Sequence, residues 1–459
     1  MTLEQKIGQF FFPAVFINDT EENIQATEAL IRNHNIGGLT FFHSRASAAT
    51  NYESKQKVIF NDDSYTKLKE LIVRYQKCAT TPLLMSIDAE WGLAMRIEKT
   101  PQYPYAITLG ALPESEIDLV YEVGKQIGVD LKAAGIQYNL APLADINNNP
   151  NNPVIGYRSF GENKEKVALF ASAYLQGMSD AGILGCLKHF PGHGNTNVDS
   201  HLGLPILNEN LDQLMQNELY PFIKGIENNV DSIMIGHLAV PELNDGKNTS
   251  ATLSKNIIEK LLRNQLGFEG LVISDALNMK SVSDLYETKG ELEWEAFNAG
   301  NDVLCFAEHV AEGIQAILKN ATPERIEASF SRIMKCKEKV GILNGNDLFP
   351  DTNSNSIDIS ISSALNSKIA ENCLTQIITD SIPYRIQEAS TTNSLAQLSI
   401  YNDGFATKVA QSINAPVFSI TSGTPIDFIS EIETYETLLI SLFVPKAKPL
   451  HNFEIEDET

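Results

Sequence analysis

Short apolar segments recur along the first 306 residues, and most are separated by longer segments in which apolar positions repeat with helical spacing. The apolar segments span 8–16, 36–42, 83–88, 136–142, 183–190, 232–240, 270–277 and 302–306. The helical segments span 21–33, 64–77, 114–134, 164–181, 211–228 and 254–266. Strands that alternate with helices are typical of βαβ units and a parallel sheet, and continuous apolar runs are expected where both faces of a strand are buried.

Eight repeats of this kind predict an α/β fold, a closed (β/α)8 barrel of the TIM type. A doubly wound open sheet would alternate in the same way, but the chain has neither a G-x-G-x-x-G nor a P-loop motif. The absence of a glycine-rich phosphate turn favours closure. We expect a catalytic barrel domain over residues 1–343, closed by a helix over 323–343.

The rest of the chain predicts a second, smaller unit. Residues 344–356 are rich in turn-forming residues and are predicted to be a linker. Residues 357–459 then show helical patterns near 362–379 and 405–413 and strand patterns at 395–401, 416–420 and 437–444. About three strands predict a small, incomplete α/β C-terminal domain.

Composition and charge exclude several classes of protein. Hydrophobic residues make up 43% and charged residues 20%, as in ordinary globular proteins. The net charge of −23 argues against nucleic acid and anionic membranes as partners. No apolar run is long enough to span a membrane, and the N-terminus lacks a signal-peptide pattern. We therefore expect a cytoplasmic protein, or a periplasmic or secreted one if a signal had been removed.

The five cysteines are scattered, with neither a disulfide framework nor zinc spacing. Cys186 and Cys305 lie in apolar runs and are expected to be buried. His189 and His193 have an H-x-x-x-H spacing, but Pro191 and Gly192 between them exclude a helix, and no glutamate follows the first histidine. We expect no metal and no cofactor.

Ionisable residues stand at the ends of five consecutive predicted strands. They are Asp88, Asp145, Lys188 with His189, His237, and Asp275. The carboxyl ends of barrel strands carry the active site in enzymes of this fold, so these side chains are candidates for one site. Any single one of them could instead cap the helix that follows, and this alternative is strongest for Asp145.

Two of these positions suggest hydrolysis of a sugar. Asp275 would stand at the mouth of the barrel, where a carboxylate can attack an anomeric carbon. Asp199 and His201 are two residues apart, so in an extended loop their side chains point the same way. A carboxylate on one ring nitrogen orients the imidazole and leaves the other nitrogen to move a proton. The alternatives are a capping aspartate and a surface-loop histidine.

Four segments together resemble the β-N-acetylglucosaminidase branch of glycoside hydrolase family 3. They are Lys-His-Phe-Pro-Gly-His-Gly from residue 188, followed by Asp-Ser-His at 199–201; Ser-Asp-Ala-Leu-Asn-Met from 274; Asp-Ala-Glu-Trp-Gly-Leu-Ala-Met-Arg from 88; and Asn-Pro-Val-Ile-Gly-Tyr-Arg-Ser-Phe-Gly from 152. The resemblance covers roughly residues 2–343. The chain departs from the pattern at Ala89, Trp91, Leu93 and Ala94, and Trp91 is expected to narrow or floor part of the site.

The resemblance implies a role for each matching residue. Asp275 matches the nucleophile, His201 the acid/base and Asp199 its partner. The residues that match sugar-binding positions are Asp88, Arg96, Arg158, Lys188 and His189. An internal salt bridge is the alternative for each arginine, and His193 is expected to hold the loop.

The expected function is that of a retaining β-N-acetylhexosaminidase which removes terminal β-linked N-acetylglucosamine, for instance from peptidoglycan fragments. A small carbohydrate is the expected partner, and the oligomeric state stays open. A phosphorylase acting at the same site is one alternative, because a neutral histidine tolerates an incoming phosphate better than a carboxylate would. A catalytically silent, sugar-binding scaffold is another.

Overall fold

The computed structural model describes residues 1–48, 58–200, 203–345, 348–354, 357–375, 395–402, 404–413, 415–421 and 428–443. Residues 1–374 and 375–459 form two compact units. The predicted linker at 344–356 falls inside the first unit, as does the helix Ser360–Asn372, where Asn366 donates to the carbonyl of Gln102. No described helix is long and apolar enough to cross a membrane.

Eight parallel strands among the described residues close into a barrel. They are β1 (Phe11–Phe12 and Ala14–Phe16, interrupted at Pro13), β2 (Gly38–Phe42), β3 (Leu84–Ile87), β4 (Tyr138–Asn139), β5 (Cys186–Phe190), β6 (Ser232–Ile235), β7 (Leu271–Ser274) and β8 (Leu304–Cys305). Neighbouring strands pair in sequence order, with single bridges joining β4 to β5 and β7 to β8. Pairing of Phe11 with Leu304 closes the ring. The predicted TIM-type barrel is confirmed.

Helices surround this barrel and complete the first unit. They are α1 (Leu3–Gly8), α2 (Glu21–His34), α3 (Arg45–Ala48), α4 (Ser64–Cys78), α5 (Ala106–Gly110), α6 (Ile117–Ala134), α7 (Lys164–Asp180), α8 (Leu211–Gln216), α9 (Tyr220–Glu227), the π-helical α10 (Asn256–Gln265), α11 (Lys280–Ser283), α12 (Glu291–Ala299), α13 (Val310–Asn320), α14 (Pro323–Lys339) and α15 (Ser360–Asn372). Short 3-10 turns lie at Leu93–Met95, Glu114–Glu116, Gly156–Arg158, Pro241–Asn244, Ala251–Leu253 and Ile342–Asn344.

Local chemistry explains where many helices begin and end. The hydroxyl of Thr20 accepts the backbone N–H of Asn23 at the start of α2, and Thr322 caps α14 in the same way. Helix α6 ends at Ala134 and is followed by Gly135, whose φ of 85° lies in the left-handed region that glycine tolerates best. The single helix predicted over 211–228 is wrong: α8 ends at Gln216 and α9 begins at Tyr220, because Pro221 occupies the first turn of a new helix.

Apolar side chains fill the barrel and the space beneath its helices, and both Cys186 and Cys305 are buried as predicted. At the amino ends of the strands, the fully buried Asp302 holds three arginines. Its carboxylate accepts from Arg263 at 2.6 Å, Arg332 at 3.0 Å and Arg325 at 3.3 Å, and also from Ser329 at 2.6 Å. We call these five residues the basal cluster. Because Arg325, Ser329 and Arg332 belong to α14, the cluster fastens the closing helix to β8.

The described part of the second unit contains a parallel sheet. Its strands are β9 (Leu395–Ile400), β10 (Val417–Ile420) and β11 (Thr437–Leu442), in the order β10-β9-β11. Helices α16 (Gly404–Ile413) and α17 (Ile429–Ile432) follow β9 and β10. The strands lie close to their predicted positions, and the end of the helix predicted over 362–379 lies outside the described residues.

Candidate active site

The barrel brings the predicted strand-end residues to one edge. Asp88 follows β3, Lys188 and His189 lie in β5, and Asp275 follows β7. Because all the strands are parallel, these carboxyl ends open at the same side of the barrel, where enzymes of this fold bind substrate.

Five charged side chains meet there, and we call them the apical cluster: Asp88, Glu90, Arg96, Arg158 and Lys188. The ammonium of Lys188 lies 2.9 Å from Asp88 Oδ1 and 2.7 Å from Glu90 Oε1. Arg158 donates to both oxygens of Glu90, at 3.0 and 2.7 Å, and Arg96 lies 3.3 Å from Asp88 Oδ2. Four residues that the sequence proposed as sugar-binding are thus joined through two carboxylates.

The electrostatics of the apical cluster favour the charged forms of Glu90 and Lys188. Burial opposes the charge on Glu90, but Arg158 and Lys188 outweigh it and hold the pKa of that carboxyl well below its usual range. Burial likewise opposes the charge on Lys188, while Asp88 and Glu90 raise the pKa of its ammonium. Three cations therefore face two carboxylates, and this excess of hydrogen-bond donors suits the hydroxyl and carbonyl oxygens of a sugar.

Both arginines form internal salt bridges, which was the alternative interpretation of each. Ion pairing does not occupy them completely, because each keeps 16% of its side chain exposed. Arg96 also stacks its guanidinium 3.9 Å from the centroid of the Phe42 ring, and its buried Nε has no hydrogen-bond partner among the described residues. The exposed part of each arginine side chain can contact a bound ligand.

Glu90 is a member of the apical cluster that sequence reasoning missed. Its signal was the spacing of two residues from Asp88, which places both side chains on the same side of an extended segment. Its partners lie later in the chain, Arg158 in the 3-10 turn Gly156–Arg158 and Lys188 in β5, so only the folded chain shows that one glutamate joins them.

His189 pairs with Asp145 instead of joining the apical cluster directly. The buried carboxylate of Asp145 lies 2.8 Å from His189 Nδ1 and accepts the backbone N–H groups of His189 and His193. A carboxylate at Nδ1 places the proton there and leaves Nε2 for another partner. The capping alternative for Asp145 does not describe this contact, since the carboxylate orients the end of β5.

The end of β7 holds Asp275 from two sides. Its Oδ1 accepts the N–H of Ala276 at 2.8 Å, and its own N–H donates to Ile235 in β6 at 2.9 Å. His237, fully buried after β6, lies 2.9 Å from the carbonyl of Ala276 and 2.8 Å from the hydroxyl of Thr252. These hydrogen bonds hold Asp275, which is half-buried and keeps contact with solvent.

His193 lies between the two sides of the site and forms the root of the loop that follows β5. Burial lowers its pKa to about 4, although the charges of Asp145 and Asp275 oppose the shift. The ring is therefore neutral at physiological pH, with Nδ1 2.7 Å from the hydroxyl of Thr196. From the sequence we expected His193 to hold this loop, and the contacts of His193 fit that role.

The same loop leads to Asp199 and crosses the loop that carries Arg158. The side-chain amide of Asn152 donates to the carbonyls of His193 at 2.8 Å and Gly194 at 2.9 Å. A Cβ at Gly194 would lie 1.7 Å from the carbonyl oxygen of Ile146, so only glycine allows this approach. The two loops therefore touch along their backbones.

Asp199 is half-buried, and its carbonyl accepts the N–H of Gly203 at 3.0 Å. His201 lies outside the described residues, so the predicted pairing of Asp199 with His201 stays a prediction. The roles assigned to Asp275, Asp88, Arg96, Arg158, Lys188 and His189 likewise stay predictions that this geometry accommodates. Among the residues described, no group of three His, Cys, Asp or Glu side chains could hold a metal ion.

Comparison with known proteins identifies the family. Residues 2–336 match the family model described as Glycosyl hydrolase family 3 N terminal domain. The chain belongs to this family of glycoside hydrolases, as the four sequence segments indicated.

Individual relatives carry related names. Over 338 residues the chain is 33% identical to Beta-hexosaminidase A of Pseudoalteromonas piscicida, a match that covers 68% of this chain and 54% of that protein. The chain thus spans about half the length of that relative. A Beta-hexosaminidase of Xylella fastidiosa (strain M12) is 33% identical over 264 residues, which cover 56% of this chain and 77% of that protein.

Solved structures agree on the fold. A glycoside hydrolase family 3 β-N-acetylglucosaminidase from Paenibacillus sp. str. FPU-7 superposes with a TM-score of 0.77 at 27% identity, covering 97% of this chain and 85% of that one. The β-glucoside phosphorylase BglX superposes with a TM-score of 0.78 at 18% identity, covering 96% and 80%. At that identity the second likeness concerns the fold alone.

Proposed function

We propose that this chain is a retaining β-N-acetylhexosaminidase which removes terminal β-linked N-acetylglucosamine. One observation carries the proposal: the donor-rich apical cluster and the hydrogen-bonded, half-buried Asp275 lie at the same end of one barrel. The names of the relatives and of the structure at 27% identity support the same class of substrate.

The proposed reaction has two steps. The carboxylate of Asp275 attacks the anomeric carbon, the glycosidic C–O bond breaks, and the leaving oxygen takes a proton from His201. His201 then removes a proton from water, whose oxygen attacks the anomeric carbon and releases the Asp275 carboxylate. Asp199 orients His201 in both steps. Two displacements return the sugar in its original β-configuration.

The apical cluster holds the sugar during both steps. Asp88 accepts hydrogen bonds from sugar hydroxyls, and Arg96, Arg158 and Lys188 donate to hydroxyl and acetamido oxygens. His189, oriented by Asp145, supplies a further contact through Nε2. Peptidoglycan fragments are the proposed natural source, because they contain β-linked N-acetylglucosamine.

A nitrophenyl β-N-acetylglucosaminide, assayed with and without inorganic phosphate, tests the proposal. We expect release of nitrophenol in both assays, with the β-anomer of free N-acetylglucosamine appearing first by NMR. Formation of a sugar phosphate would instead identify a phosphorylase. Binding without turnover would identify a sugar-binding scaffold, and an α-anomer as first product would exclude Asp275 as nucleophile.

The acid/base role of His201 has its own test. His201→Ala should slow hydrolysis, least for substrates whose leaving group needs little protonation, and added azide should partly restore the rate. An equal loss for every leaving group would show that His201 positions the sugar and does not transfer a proton.

A further inference from the structure

Three aromatic side chains pack against one another beside the apical cluster. The ring centroids of Trp91 and Tyr105 are 4.9 Å apart at 88°, those of Tyr105 and Tyr157 are 4.7 Å apart at 62°, and those of Trp91 and Tyr157 are 6.1 Å apart. We call these residues the aromatic trio. All three are only partly buried, so apolar surface is accessible next to a strongly polar site.

Two residues of the trio are direct neighbours in the chain of residues in the apical cluster. Trp91 directly follows Glu90, and Tyr157 directly precedes Arg158, the residue that donates to both oxygens of Glu90. Burial raises the pKa of the Tyr157 hydroxyl, with Arg158 opposing the shift and Glu90 reinforcing it. The phenol therefore lies within electrostatic range of the cluster, and the trio borders the Glu90–Arg158 pair.

The order of the strands shows where the trio lies in the site relative to Asp275. Trp91 and Tyr105 follow β3, and Tyr157 follows β4, whereas Asp275 follows β7. In an eight-stranded barrel, β3 lies half a turn from β7. A sugar whose anomeric carbon faces Asp275 therefore turns its opposite edge, around C4, toward the trio. This step rests on the function proposed above.

We propose that the aromatic trio is the wall that ends the site beyond C4 of the terminal sugar. Its rings pack against the C–H groups of that edge, while the neighbouring charged groups bind the hydroxyls, a combination common in ligand sites. The edge-to-face contacts hold each ring in place against the next. A further sugar on O4 would have to displace them, so the trio restricts the enzyme to terminal residues.

Two nitrophenyl glycosides test this proposal, one of N-acetylglucosamine and one of its β-1,4-linked disaccharide. The wild-type protein should release nitrophenol from the disaccharide only after the outer sugar has been removed, which gives a lag. Trp91→Ala and Tyr105→Ala should release the intact disaccharide directly, detected by mass spectrometry at early times. We expect the ratio of direct to stepwise cleavage to rise by about tenfold or more.

Phe349→Ala is the matched control, because it removes an exposed aromatic ring away from the trio. It should leave the ratio at the wild-type value. The proposal is overturned if both trio variants fold, cleave the monosaccharide glycoside and still release no intact disaccharide. Failure of the wild-type protein to cleave either glycoside would instead overturn the proposed function, and the wall with it.

Discussion

The two ends of the barrel each carry a buried, ion-paired cluster, yet the clusters are built differently. In the basal cluster one carboxylate, Asp302, gathers three arginines and a serine hydroxyl, and it also accepts the N–H of Val272 at the start of β7. In the apical cluster two carboxylates and three cations stand at the ends of strands and in the loops that follow them.

The difference lies in what each cluster connects. The basal cations come from helices α10 and α14, so the basal cluster fastens helices to the sheet. The apical donors face the open end of the barrel, and one of them, Arg96 Nε, has no partner among the described residues. Burial and ion pairing therefore do not distinguish a structural cluster from a binding cluster. What differs is the end of the barrel at which each cluster lies, since enzymes of this fold bind substrate at the carboxyl ends of the strands.

The largest expected effect is a loss of activity without a loss of stability, at the end of the barrel that carries Asp275. Asp275→Ala should lower turnover of the nitrophenyl glycoside by roughly 10⁴-fold or more, because it removes the proposed nucleophile. The melting temperature should stay within about 2 °C of wild type, since the side chain is half-buried and packs no core. Asp284→Ala, at an exposed position nine residues further on, is the control. Retention of more than a few per cent of activity would reject Asp275 as nucleophile.

The opposite pattern is expected at the basal cluster. Asp302→Ala leaves buried arginines without their anion and should lower the free energy of unfolding by about 3–5 kcal/mol, measured by urea denaturation. The folded fraction should keep its kcat. Asp118→Ala, at an exposed site in the first turn of α6, should change stability little. An Asp302→Ala variant that is as stable as wild type but inactive would contradict a purely structural role for the basal cluster.

Glu90→Gln makes the comparison sharper, because it keeps the shape of the side chain and removes its charge. Lys188 and Arg158 lose the anion that orients them, so we expect kcat/KM to fall by about 10–100-fold. Stability should fall much less than in Asp302→Ala. If stability collapses and the surviving enzyme has normal kcat/KM, the apical cluster is structural like the basal one.

Counted per pH unit, the smallest effect concerns the dependence of stability on pH. The folded pKa of His193, about 4, lies below its unfolded value of 6.5, so between these values only the unfolded chain takes up the proton. Stability should therefore fall as pH drops from 6.5 to 4, by at most about 1.4 kcal/mol per pH unit. His193→Gln should flatten that slope in urea titrations, while His34→Gln in α2 should not. Equal slopes in all three proteins would contradict a buried, neutral His193.

Particular residues show which parts of the fold and of the site can be predicted from the sequence. The eight strands were predictable because each is a nearly unbroken apolar run, and Asp88, Lys188 and Asp275 followed from where those runs stop. The break between α8 and α9 was not predicted, because both helices share one apolar periodicity, although Pro221 marked it. Glu90 was missed because its role depends on Arg158 and Lys188, which only the closed barrel brings to it.

The close crossing of the loops that carry Arg158 and Asp199 limits how this protein can be redesigned. Because Gly194 lies against the backbone of Ile146 and Asn152 binds the carbonyls of the other loop, neither loop can change length alone. A loop graft from a relative should therefore exchange residues 146–161 and 191–203 together. In a chimera that carries only one of the two grafted loops, the backbones of the two loops would no longer fit against each other.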